Sequence, residues 1–180
     1  MVLLKKNAMY KEPREYWMIT PVVRDKDFQD MKDLIIEFAT AIDFELDYQQ
    51  LLRESASIRE IYKMPAGAGF LLKSNGQSIG FIGIKKLSYN TAEISKFYVR
   101  PTSAYLRWSV NLLDVAIDWA GQSNYKKIRV NPSEIHQALT GLFYGAGFLE
   151  KAVRDDKTSQ LYKVLEKALV SIPEYFELKR

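Results

Sequence analysis

The sequence predicts one α+β domain, a mixed β-sheet with helices on both faces in the order β-αα-ββ-β-α-β-α-ββ. Short β-branched and aromatic runs alternate along the chain with segments whose apolar residues recur at helical spacing. Residues 92–120 pass directly from a strand, through a short loop, into an amphipathic helix. The length of 180 residues is enough for a single domain of this kind to bury a core.

The first part of the chain predicts a strand and a helix. Residues 16–23 are rich in β-branched and aromatic side chains, and Pro21 indicates an edge position or a strand end. Asp25 and Asp27 can cap the helix that follows. The apolar face of this helix consists of Phe28, Met31, Leu34, Ile35 and Phe38.

A second helix and a hairpin are predicted next. Residues 43–47 form a break, and residues 48–61 form the helix, with Leu51, Leu52 and Ala56 directed inward. The pair Asn75-Gly76 between the apolar runs 69–73 and 77–87 indicates a hairpin, because both residues tolerate positive φ. Residues 79–84 are apolar on both faces, which predicts a central strand.

The second half of the chain continues this alternation. Residues 92–99 and 126–130 are strands on either side of a helix that Gly121 ends. Another helix begins at Pro132 and stops at Gly145 and Gly147. Residues 148–153 and 160–165 pair as a last hairpin, and residues 166–180 form a C-terminal extension. The buried faces of the two helices are Leu112, Leu113, Ala116, Ile117 and Ala120, and then Ile135, Leu139, Leu142 and Phe143.

The composition excludes several kinds of site. Cysteine is absent, which excludes disulfides, thiolate metal sites and a cysteine nucleophile, and which fits a cytoplasmic location. The single histidine, His136, cannot build a multi-histidine metal centre, and no acidic cluster indicates a metal site. No apolar run approaches the roughly 20 residues that cross a bilayer, so no membrane partner is expected.

The net charge of +4 does not indicate a nucleic-acid partner. Nucleic-acid binders gather Lys and Arg into a stripe, whereas the basic pairs of this chain are scattered among apolar and neutral residues. Such pairs are typical of solvated strand ends and helix faces. The excess positive charge is also compatible with a mild attraction for anionic ligands such as a nucleotide phosphate.

Three stretches resemble the GNAT N-acetyltransferases. Residues 92–101, which read Ala-Glu-Ile-Ser-Lys-Phe-Tyr-Val-Arg-Pro, resemble the fourth strand of that family and its exit. Residues 112–130 resemble the third helix and fifth strand, and residues 138–148 resemble the fourth helix and its turn. The likeness covers about residues 16–165, so we expect a single GNAT-like domain over residues 1–180.

The resemblance implies a reaction and a set of site residues. In the family, an amine that has lost a proton to a base or a water chain attacks the thioester carbonyl of acetyl-CoA. Backbone N–H groups of a bulged, splayed fourth strand stabilise the oxyanion, and here they would lie among Phe97, Tyr98 and Val99. Glu93 stands where several members place a base; the alternative is a strand carboxylate with a structural partner or in solvent.

The phosphate-binding loop departs from the family pattern. The family uses a glycine-rich run before the third helix, since glycine permits positive φ and a close approach to phosphate. Arg107 could bind phosphate instead, or be a solvated loop arginine. Trp108 could plug the cofactor groove, stack on a ligand or pack in the core. The corresponding run in this chain is Ala104, Tyr105, Leu106, Arg107, Trp108 and Ser109.

Two further positions also depart. Phe143 stands where the family has the tyrosine that protonates the leaving thiolate, so the adjacent Tyr144 is the candidate acid. One residue along a helix turns the side chain by about 100°, which is the objection to this assignment. His136 stands where the family often has asparagine. It is either a ligand contact or a structural or surface residue.

The sequence therefore leaves three functions open. The first is transfer of an acetyl group from acetyl-CoA to an amine of a small molecule or a protein, without a metal. The second is a catalytically inactive GNAT-fold protein with a binding or regulatory role. The third is a small basic nucleic-acid-binding domain. Dimers are common in the family, and residues 166–180 could dock on a second copy or pack on their own domain.

Overall fold

The computed structural model describes residues 16–41, 56–101, 105–132, 135, 137–154 and 158–169. The described chain alternates strands and helices in the predicted order. The strands are β1 (Trp17–Pro21), β2 (Ala68–Ser74), β3 (Gln77–Lys86), β4 (Thr91–Val99), β5 (Lys127–Val130), β6 (Leu149–Arg154) and β7 (Leu161–Ala168). The helices are α1 (Asp25–Ala41), α2 (Ile58–Ile61), α3 (Tyr105–Gln122) and α4 (Thr140–Gly145).

The seven strands form one mixed sheet in the order β1-β2-β3-β4-β5-β7-β6. Among the described strands, only β4 and β5 pair in parallel, and α3 makes the crossover between them. All other neighbours are antiparallel. The predicted fold class, a mixed α+β sheet, is confirmed.

Helices cover both faces of the sheet, as predicted. On one face, α3 and α4 bury Leu112 and Phe143 against Phe97 of β4. On the other face, α1 buries Met31 against Phe81 of β3. Because β3 is apolar on both sides, it contributes to both cores, as expected for a central strand.

The predicted hairpin between β2 and β3 is confirmed. Asn75 and Gly76 form its two-residue turn with φ values of 48° and 82°. Positive φ at both central positions gives the turn whose twist matches the twist of paired strands.

Strand β4 carries a bulge at Ser95. Gly83 of β3 pairs with Lys96, whereas the next residue, Ile84, pairs with Ile94, so Ser95 is the extra residue. The Ser95 hydroxyl lies 2.9 Å from the Tyr62 hydroxyl. A Cβ atom on Gly83 would lie 2.6 Å from the Tyr62 ring, so glycine is required for this close approach. The bulge places Ile94 and Phe97, three residues apart, in the same core.

Several boundaries differ from the predictions. Helix α3 continues through Gly121, because Asn124 takes the left-handed conformation after the helix with φ of 64°. The helix predicted from Pro132 begins at Thr140, after a 3-10 turn over Gln137–Leu139. Strand β7 extends to Ala168, beyond the predicted end at residue 165.

In the second predicted helix, Ala56 is exposed rather than directed inward, and the described helical turn is the short α2. The predicted break at residues 43–47 lies outside the described residues, as do Leu51 and Leu52. Within the described ranges, no helix combines the length and the apolar character that crossing a membrane requires.

Candidate active site

A cleft of about 740 Å³ surrounds the end of β5, between Glu93 of β4, helix α4 and the hairpin of β6 and β7. The two strands pair only from Thr91 to Ile94, because β5 ends at Val130. Among the described strands, none pairs with residues 95–99 on the β5 side of β4. The cleft is lined by Glu93, Arg129, Asn131, Pro132, Thr140, Tyr144, Glu150, Tyr162, Lys163, Val164 and Leu165.

Two backbone N–H groups of β4 are directed away from β3, on the side where β5 no longer pairs with the strand. Arg100 donates its backbone N–H to the carbonyl of Ile79 in β3 at 2.9 Å. Successive residues of an antiparallel strand direct their backbone groups to opposite sides. Tyr98 therefore directs its N–H toward β3, as Arg100 does, whereas Phe97 and Val99 direct theirs away from β3.

The side chains of these three residues are structural. Phe97 and Val99 are buried in the core beneath α3. Tyr98 lies on the opposite face, where its hydroxyl donates a hydrogen bond to Glu37 of α1 at 2.9 Å. Burial and this bond to a carboxylate raise the pKa of Tyr98 to about 12. Arg100 also pairs with Glu37, through Nε at 2.8 Å and a terminal nitrogen at 2.6 Å, so the exit of β4 is fixed to α1.

Glu93 lies at the inner end of the cleft with 8% of its side chain exposed. One carboxylate oxygen is 2.9 Å from Lys85 Nζ, and the other accepts a hydrogen bond from Arg129 Nε at 2.8 Å. Burial alone would raise the pKa of Glu93, but Lys85 and Arg129 outweigh it and hold the pKa below its usual value. Glu93 therefore has the structural partners of the alternative interpretation, and its role as a base stays a prediction.

Tyr144 lies at the rim of the same cleft, so the fold brings the two predicted catalytic residues to one site. Its hydroxyl donates a hydrogen bond to Glu150 Oε1 at 2.6 Å. The other Glu150 oxygen is 3.3 Å from Lys163 Nζ. The hydrogen bond to the Glu150 carboxylate raises the pKa of Tyr144, so the phenol keeps its proton at neutral pH.

Phe143, which replaces the family tyrosine, is fully buried. Its ring contacts Phe97 and Phe148 edge to face, with centroid distances of 6.0 and 5.1 Å. These contacts hold the helix so that the next residue, Tyr144, is the one whose hydroxyl reaches the cleft. Phe143 itself does not line the cleft.

The predicted cofactor loop leads into α3, which begins at Tyr105. Trp108 is 1% exposed and packs in the core, as one of the three alternatives has it. Ser109 is buried and donates its hydroxyl to the carbonyl of Tyr105 at 2.8 Å. Tyr105 is half-buried against the core, whereas Leu106 and Arg107 are exposed in the first turn.

Two predicted ligand contacts, Ala104 and His136, lie outside the described residues. In the part of the chain that the structure describes, no group of three or more His, Cys, Asp or Glu could hold a metal ion. The assignment of Tyr105, Leu106, Arg107 and Ser109 to cofactor binding stays a prediction.

The cleft is also lined by residues for which the sequence predicts no role, among them Arg129, Glu150, Tyr162 and Lys163. One local signal existed, because Arg129 stands between the buried residues Ile128 and Val130. Period-2 alternation therefore places Arg129 on the face opposite the core beneath α3. The pairing of β4 with β5 and of β5 with β7, which brings Arg129 to Glu93 and Tyr162, has no local signal.

The sequence from residue 28 to residue 148 matches the model of the Acetyltransferase (GNAT) family. This range contains most of α1 and all of α2, β2 to β5, α3 and α4, and therefore the strands β4 and β5 on both sides of their point of separation. A comparison with curated proteins gives no significant match.

Solved structures share the fold at low sequence identity. An acetyltransferase of the GNAT family from Staphylococcus aureus Mu50 superposes with a TM-score of 0.71 at 17% identity, covering 86% of this chain and 100% of that one. Aminoglycoside 6'-acetyltransferase type Ii superposes with a TM-score of 0.65 at 13% identity, covering 87% of this chain and 99% of that one. The ribosomal-protein-S18-alanine N-acetyltransferase from Escherichia coli superposes with a TM-score of 0.61 at 15% identity, covering 89% of this chain and 99% of that one.

Proposed function

Because the chain belongs to the GNAT acetyltransferase family, we propose that it transfers the acetyl group of acetyl-CoA to an amine. The observation that carries the proposal is the composition of one cleft. The N–H groups of Phe97 and Val99 lie on the side of β4 that β5 leaves unpaired beyond Val130, and the cleft lined by Glu93 and Tyr144 surrounds the end of β5. A set of backbone donors, a carboxylate and a phenol at one opening is what acyl transfer to an amine requires.

The residues of the opening fit the thioester end of acetyl-CoA. The cleft volume of about 740 Å³ falls within the range of small-molecule sites. The exposed Arg107 in the first turn of α3 offers a cation to the phosphates. In this proposal, Arg107 replaces part of what a glycine-rich loop supplies through backbone N–H groups.

Each group of the opening has one chemical task. Acetyl-CoA supplies an activated acyl group. The N–H groups of Phe97 and Val99 donate hydrogen bonds to the carbonyl oxygen as it gains negative charge. Tyr144 gives its proton to the departing sulfur, since its raised pKa keeps the phenol protonated until the thiolate forms.

The task of Glu93 follows from its ion pairs. A carboxylate with two cationic partners is a weak base at neutral pH, so we assign it first to holding Arg129 and Lys85. The proton of the amine then leaves through water in the cleft, and Glu93 accepts a hydrogen bond from that water.

The test has two parts. Calorimetry with acetyl-CoA measures uptake, and release of the CoA thiol in the presence of amines measures turnover. Uptake should stabilise the fold by about 2.7 kcal/mol at a hundredfold excess of ligand over Kd. Tyr144→Phe should lower kcat by about 10²-fold or more, whereas the matched variant Tyr89→Phe, at an exposed tyrosine outside the cleft, should not.

Three results distinguish the candidate functions. Uptake with thiol release supports acetyl transfer. Uptake without release from any amine supports the inactive binding protein instead. No uptake of acetyl-CoA at millimolar concentration contradicts the proposal.

A further inference from the structure

Arg129 is a largely buried cation whose guanidinium borders the cleft. Its side chain is 16% exposed and belongs to β5. The Nε atom donates a hydrogen bond to Glu93 at 2.8 Å, and a terminal nitrogen lies 3.5 Å from the Tyr162 hydroxyl. Arg129, Glu93 and Tyr162 all line the cleft.

The orientation of this guanidinium follows from the strand register. Val130, the last residue of β5, pairs with Leu165 of β7. Along β7, Tyr162 therefore lies three residues beyond the position that is paired with the end of β5. The terminal nitrogen of Arg129 that lies near Tyr162 is thus beyond the end of β5. The Nε atom is held on Glu93, and a terminal nitrogen reaches toward Tyr162, which also lines the cleft.

Positive charge exceeds negative charge around Arg129. In register across the sheet stand Lys85 of β3, Glu93 of β4, Arg129 of β5 and Glu166 of β7. Lys127 of β5 is 3.5 Å from Glu166. Three cations thus share two carboxylates, while Lys163 and Glu150 at the rim neutralise each other. An excess of positive charge beside a cleft favours an anionic ligand.

We propose that the acceptor is a small amine that also carries a carboxylate, and that Arg129 binds this carboxylate with help from the Tyr162 hydroxyl. A planar guanidinium matches the geometry of a carboxylate and can bind it with two hydrogen bonds. This inference rests on the proposed acetyl transfer. In that step the amine nitrogen forms a bond to the acetyl carbon, the C–S bond breaks, the nitrogen loses a proton and the sulfur gains one.

The test uses L-amino acids and their matching amides as acceptors, with thiol release as the readout. Each pair keeps the amine and the side chain and differs in the carboxylate. The wild-type protein should accept at least one amino acid with a kcat/KM about tenfold or more above that of its amide. Arg129→Gln should lower kcat/KM for that amino acid by about 10- to 100-fold, chiefly through KM.

The same variant provides its own control for folding. Arg129→Gln should lower kcat/KM for the amide much less than for the acid and leave the KM for acetyl-CoA nearly unchanged, and Arg129→Lys should restore part of the preference for the acid. Arg154→Gln, at an exposed arginine of β6 outside the cleft, should change kcat/KM for neither the acid nor the amide.

Four results would overturn the inference while acetyl-CoA still binds. The amides are accepted as well as the acids, or no amino acid is accepted at all. Arg129→Gln lowers turnover of acid and amide equally, which indicates a structural role. The variant raises the KM for acetyl-CoA instead, which assigns the guanidinium to a phosphate of the donor. Failure to bind acetyl-CoA is a separate result, because it contradicts the proposed function itself.

Discussion

The phenol of Tyr144 donates a hydrogen bond to Oε1 of Glu150 across 2.6 Å, at the rim of the cleft beside β4. Glu150 lies in β6 and receives a second contact from Lys163 of β7. The last hairpin therefore fixes the phenol that α4 presents to the cleft. If Tyr144 is the acid of the reaction, Glu150 is its positioning residue.

The first prediction concerns the alkaline limb of the pH profile. Glu150→Gln removes the carboxylate that raises the pKa of Tyr144, so this pKa should fall toward its ordinary value of 10.0. The alkaline limb of kcat should then move to lower pH. The measurement is kcat for thiol release from pH 7 upward. A limb that stays in place in Glu150→Gln, or that persists in Tyr144→Phe, would show that another group titrates.

The second prediction concerns the stability that Glu93 provides. Glu93→Gln leaves Arg129 and Lys85 without their shared carboxylate, and we expect a loss of about 2–4 kcal/mol in the free energy of unfolding. The charge of Lys85 keeps contact with water, since its side chain is 37% exposed, which places the loss below that of a fully buried pair. Urea unfolding at neutral pH measures it.

The pH dependence of this loss has a definite sign. Because the folded state lowers the pKa of Glu93, the stabilisation is present above the ordinary value of 4.5 and declines as pH falls below it. The difference between wild type and Glu93→Gln should therefore shrink in acid. A difference that is constant from neutral pH to below 4.5 would contradict the ion-pair account.

The third prediction compares two glycines. In Gly83→Ala the added Cβ would lie 2.6 Å from the Tyr62 ring, and we expect a loss of about 1–3 kcal/mol in stability. In Gly121→Ala the Cβ meets nothing within 4 Å, and helix propensity favours alanine by about 1 kcal/mol. Thermal unfolding of the two variants should shift Tm in opposite directions. If Gly83→Ala does not lower Tm, the Tyr62 ring can move away from the added Cβ and the close contact beside the bulge does not require glycine.

The sequence predicts those parts of the molecule that depend on local patterns. The turn at Asn75-Gly76 and the apolar face of α3 are examples, because turn chemistry and helical periodicity are properties of short segments. The predicted end of α3 at Gly121 was wrong because it also relied on one local residue. Glycine permits a helix end without requiring one, and Asn124 provides the left-handed residue.

The candidate site could be predicted only in part, because it forms where distant segments meet. Glu93 and Tyr144 were singled out through a resemblance, whereas the ion pair of Glu93 with Arg129 depends on the parallel pairing of β4 and β5. The contact of Arg129 with Tyr162 depends on β7 lying between β5 and β6. Strand order of this kind is a property of the whole chain.

The most direct test of the central claim follows the amide resonances of β4 by NMR as acetyl-CoA is added. The account predicts that the N–H signals of Phe97 and Val99 shift on uptake more than that of Tyr98, since these two groups are directed away from β3, on the side where β5 no longer pairs with β4. Phe97 and Val99 signals that do not shift when acetyl-CoA saturates the protein would contradict this claim. Absence of any binding at millimolar acetyl-CoA would contradict it as well.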